Sequence, residues 1–86
     1  MFSQRFGRPV ILTDHARARM AERQVDELLM PDLIETGEAR HRDDLRLWIA
    51  KYYPERADNL LCVALVLEAT MVVKIVLHHF SWDFGP

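Results

Sequence analysis

The chain has 86 residues, 11 Lys and Arg against 13 Asp and Glu, a net charge of −2, and is half hydrophobic. These figures leave room for one domain over residues 1–86, exclude a disordered polyelectrolyte, and argue against a generally basic nucleic-acid coat. A domain this small buries only about 60–65% of its unfolded surface, so pairing with a second chain would help it.

In chain order, Val10–Leu12 behind Pro9 reads as a short edge strand. Thr13 and Asp14 offer N-cap oxygens for a helix over about His15–Arg23, with Met20 and Ala21 toward the core. A second helix spans about Asp26–Thr36, kinked by Pro31 after Leu29, ended by Gly37, and inward-facing through Leu28, Leu29, Leu33 and Ile34. Glu38–Arg42 and Leu45–Tyr53 read as strands around an Asp43–Asp44 turn, and Pro54–Asp58 as a polar loop. Leu60–Leu67 is apolar on both faces and reads as a central strand; Met71–Phe80 follows it. The expected fold is α+β: two short N-terminal helices packed on a three- or four-stranded antiparallel meander.

The lone Cys62 lies in the apolar Leu60–Leu67 run and reads as a small buried hydrophobe. That run is too short to cross a bilayer, and no signal-peptide pattern is visible, so the expectation is a cytoplasmic protein without membrane contact.

Charge is unevenly spread. Residues 1–24 hold five arginines against Asp14 and Glu22, whereas residues 25–38 hold five acids and no base. On the first helix, at about 100° per residue, His15, Arg19 and Arg23 fall within about a quarter-turn and form one ridge. Stacked arginines repel unless an anion neutralises them. A phosphodiester would do so, and so would Asp26, Glu27 or Asp32 on the next helix.

The pattern His15-x-Arg17-x-Arg19-x-x-x-Arg23, opened by Thr13, resembles the bacterial domain-of-unknown-function family 4258. With His15-Ala and Arg19-Met20-x-x-Arg23 it is also similar to BrnT-like toxins, ribonucleases of the RelE/ParE-like class. The Gly37-Glu38 pair, the strand with Trp48 and the two apolar strands extend the resemblance over most of the chain; Pro31 departs from it. The resemblance implies a RelE/BrnT-like fold and a toxin-antitoxin ribonuclease or RNA-binding component, acting on RNA or at the ribosome, with the antitoxin a separate protein. His15, Arg19 and His78 are then the candidate catalytic residues, and Arg17, Arg23 and Lys74 the candidate RNA- or anion-binding residues.

Strict alternation along Met71–Phe80 puts Lys74 and His78 on one face, about 13–14 Å apart, and His79 on the other. On that reading the two histidines cannot chelate together, so neither metal nor cofactor is expected. Histidine and arginine or lysine suffice for attack by a ribose 2′-OH, which needs a base, an acid and a cation. The alternative is a non-catalytic interaction domain, homodimeric or partner-binding, with a structural arginine ridge. In the aromatic tail, Trp82 and Phe84 either seal the core edge or dock a partner.

Overall fold

A computed structural model of the chain describes residues 1–82. Among the described residues, β1 (Phe2–Ser3) and β2 (Arg8–Leu12) precede α1 (Asp14–Glu22) and α2 (Leu29–Thr36). Four strands follow: β3 (Glu38–His41), β4 (Arg46–Tyr52), β5 (Leu60–Leu67) and β6 (Met71–Phe80). They form one six-stranded sheet in the order β1-β2-β6-β5-β4-β3.

The expected architecture is therefore corrected. The fold is α+β, but the sheet is mixed and wider than three or four antiparallel strands, and the helices are inserted after a β1–β2 hairpin. β3 to β6 form the antiparallel meander, while β2 runs parallel to β6, Val10 opposite Met71 and Leu12 opposite Val73. β6 can sit between β2 and β5 because it is apolar on both sides for most of its length, and β5 lies inside the sheet for the same reason.

One sheet face carries the main core. Leu47, Ile49, Leu61, Val63, Leu65, Val73 and Val76 pack beneath Ala16 and Met20 of α1 and Met30, Leu33 and Ile34 of α2. Ala21, expected inward, is exposed; Ala16 takes its place. The other face holds a smaller cluster in which Phe80 meets Trp48 and Trp82 edge to face, at ring-centroid distances of 5.9 and 5.0 Å. Trp82 thus packs on the sheet, with the Arg40 guanidinium 4.2 Å from its ring; Phe84 lies outside the described residues. Cys62 is buried, and burial pushes its thiol up to about 12.

Local chemistry sets the helix ends. Thr13 caps α1 by accepting from the Ala16 amide, and its own amide donates to the Val73 carbonyl, which starts the helix beside β6. Asp26 accepts from the Leu28 and Leu29 amides, so α2 begins later than expected. Pro31 then falls in the first turn, where its missing N–H costs no helical hydrogen bond, and it divides nothing. Gly37 ends α2 in an extended conformation, φ −71°, not a left-handed one. Its requirement is space: a Cβ there would come within 2.6 Å of the Leu33 oxygen and 2.7 Å of Ile49 Cγ2.

Candidate functional site

α1 starts beside Val73 and runs along β6, so its C-terminal end arrives over the last residues of that strand. The β4–β5 loop closes the space between them. Glu22, Arg23, Asp58, His78 and His79, with Arg56, line a cavity of about 400 Å³ at this junction.

Arg56 is the strut. Its guanidinium makes a two-pronged ion pair with Asp58, Nε to Oδ1 at 2.9 Å and Nη2 to Oδ2 at 2.7 Å. The same group donates to the carbonyls of Arg23 and Gln24 at 2.7 and 3.0 Å, satisfying orphan acceptors at the negative end of α1. Asp58 is 8% exposed. Its hydrogen bonds from Arg56, opposed by burial and helped by the charge of Arg56, hold its carboxyl down at about 2.

An ionised carboxylate can only accept, so His78 Nδ1, 3.2 Å from Asp58 Oδ2, is the donor. That contact fixes the tautomer of the neutral ring and leaves Nε2 able to take a proton.

β6 does not keep strict alternation. Its register against β5 slips between Ala64 and Leu65, where Lys74 is the extra residue, and again between Leu60 and Cys62, where His78 and His79 stand opposite Leu61. His79 has φ 52°, in the left-handed region. The two imidazoles consequently lie 4.5 Å apart, centroid to centroid, instead of on opposite faces. This corrects the expectation that they cannot act together.

Arg23 is the unusual member. Its Nε and Nη1 are buried without a hydrogen-bond partner, and no ion pair to its side chain is found among the described residues. Unmet buried guanidinium donors cost free energy, and an anion brought to them from the adjoining cavity would recover it.

Of the six residues singled out in the sequence, the cavity gathers two, Arg23 and His78. His15 is exposed near the start of α1, about 12 Å along the helix axis from Arg23. Arg19 pairs with Glu22 one turn on. Arg17 lies against a different, smaller hollow near Met1 and Glu27. Lys74 is exposed on its bulge. Nor are the arginines laced to α2: Asp32 binds Lys51 and Tyr53, and Asp26 caps its own helix. Sequence reasoning missed Arg56, Asp58 and His79. An Arg-x-Asp pair in an otherwise ordinary polar loop was the available signal for the first two.

For metal binding, Asp58, His78 and His79 each offer a ligand atom, all within 4.8 Å of one another. No helix among the described residues is long and apolar enough to cross a membrane.

No protein-family model matches the chain, and neither does any curated protein or solved structure.

Proposed function

We propose that the chain is a toxin-like RNA-directed protein whose phosphodiester site is the cavity between α1 and the end of β6. The observation that carries this reading is Arg23, whose buried donors lack a partner beside two adjacent imidazoles. In this arrangement Arg23 pairs with a phosphate oxygen, and the exposed His15 lies farther along α1 for the neighbouring backbone.

Cleavage at such a site follows from the chemistry of RNA. A base takes the 2′-OH proton, the oxygen attacks phosphorus, and the 5′-oxygen leaves with a proton from an acid, giving a 2′,3′-cyclic phosphate. His78, oriented by Asp58, has the role of base; His79, on the same side, can act as the acid. Arg23 stabilises charge on the pentavalent phosphorus.

A second reading, a protein-interaction domain, is favoured by the outer sheet face, where Ile11 and Ile75 are 53% and 42% exposed. Incubating purified protein with structured and single-stranded RNA, with and without chelator, separates the two. Chelator-resistant cleavage lost in His78→Gln supports the first reading. Failure of the wild type both to bind and to cleave RNA overturns it.

A further inference from the structure

We propose that Asp58, His78 and His79 also form a binding site for a divalent transition-metal ion of the Zn²⁺ class. The inference uses the same side chains as the RNA reading but does not depend on it.

Two imidazole nitrogens and one carboxylate oxygen are the donor set that borderline-soft divalent ions take, with three protein ligands leaving a position open. Asp58 Oδ2 and His78 Nδ1 are 3.2 Å apart. That is close to the edge of a tetrahedron whose metal–ligand bonds are about 2.0–2.1 Å, roughly 3.4 Å, and the ion takes the place of the Nδ1 proton, which moves to Nε2 of the same ring. All three ligand atoms lie within 4.8 Å, so a modest rotation of the exposed His79 ring completes the triangle.

The supporting shell is already present. Arg56 holds Asp58 through both oxygens, Oδ1 at 2.9 Å and Oδ2 at 2.7 Å, as outer partners fix metal-ligating carboxylates, and Oδ2 meets the ion with its other lone pair. The left-handed backbone of His79 is uncommon in a residue that is not glycine, and it is what brings the second imidazole round. The lining residues Glu22 and Glu55 offset the cations Arg23 and Arg56, so the cavity does not repel a cation overall.

The test is titration of the untagged protein with Zn²⁺ by calorimetry, and with Co²⁺ by visible absorption, in the absence of RNA. The variants are His78→Gln and His79→Asn, the latter because asparagine tolerates a positive φ. His41→Asn, an exposed histidine on β3, is the control, and circular dichroism confirms folding of each.

The expected result is one ion per chain with a tetrahedral Co²⁺ band. Affinity falls at least about tenfold in each site variant and is unchanged in the control. Binding that survives both variants, or no binding at micromolar protein, overturns the site. Because RNA is absent, failure here leaves the RNA reading standing, and failure of RNA cleavage leaves the metal site standing.

Discussion

Asp32 and Asp58 each brace a helix to the sheet, and they do so differently. On α2, Asp32 accepts from Lys51 Nζ at 2.8 Å and from the Tyr53 hydroxyl at 2.6 Å, while the same Lys51 also donates to Thr36. Every polar group of that brace is answered by another. At the end of α1, Asp58 is answered by Arg56 and His78, yet beside it stand Arg23 without a partner and His79 in a left-handed conformation. The first brace is closed and needs nothing more to explain it. The second leaves the buried Arg23 donors unmet beside a cavity.

The largest expected effect is at Asp58 itself. Asp58→Asn leaves the Arg56 cation largely buried and unpaired, which should cost on the order of 3 kcal/mol. For a domain of this size that lowers Tm by roughly 10–20 °C, measured by thermal melting. Acid titration offers a check with a definite sign. The Asp58 carboxyl is lowered from its usual 3.8 to about 2 in the fold. Its contribution, about 2 kcal/mol, is therefore complete above the unfolded value and disappears as pH falls from about 4 through 2. Asp58→Asn should flatten that part of the stability curve; an unaltered acid limb would count against the brace.

Asp32→Asn should cost less, about 1 kcal/mol, because Asp32 and Lys51 are both partly exposed and asparagine still accepts from Tyr53. It should leave RNA binding and Zn²⁺ binding untouched. A loss of either would mean that the closed brace is not merely structural.

His79→Val sharpens the contrast from the backbone side. A β-branched residue at φ 52° is strained, so stability should drop by about 1–2 kcal/mol, whereas His79→Asn should be nearly neutral. Equal melting temperatures for the two variants would show that the positive φ carries no strain. The smallest effect is expected for Arg19→Ala, whose partner Glu22 is well exposed: under about 1 kcal/mol and little change in RNA affinity.

Much of the frame was readable from local chemistry. Thr13 caps α1, Asp43 accepts from the Leu45 and Arg46 amides in the β3–β4 turn, and the two-sided apolar run at Leu60–Leu67 is internal to the sheet. What was not readable is non-local. β1 is two residues long and leaves no periodicity, and it is held in part by Ser3 donating to Glu35 across the chain. The parallel pairing of β2 with β6 joins residues about sixty positions apart, and nothing in Val10–Leu12 specifies direction.

The bulges in β6 were hidden for a related reason. Where a strand is apolar on both faces, slipping the phase by one residue puts no polar group in the wrong place. The slip becomes visible in its effect only at His78 and His79, the first polar pair after Lys74. Hence the site was half legible: Arg23 from the helix ridge and His78 from the strand, but not the bulge, the loop carboxylate or the strut that join them.

On the proposed function, Arg23 is kept for an anion at some cost to the fold. Arg23→Met tests it, since methionine fills similar space without the stranded donors. Melting curves and RNA titrations on this one variant should show Tm unchanged or raised by a few degrees, with RNA affinity down tenfold or more. A lowered Tm with unchanged RNA affinity would contradict it, showing that Arg23 serves the fold and not a ligand.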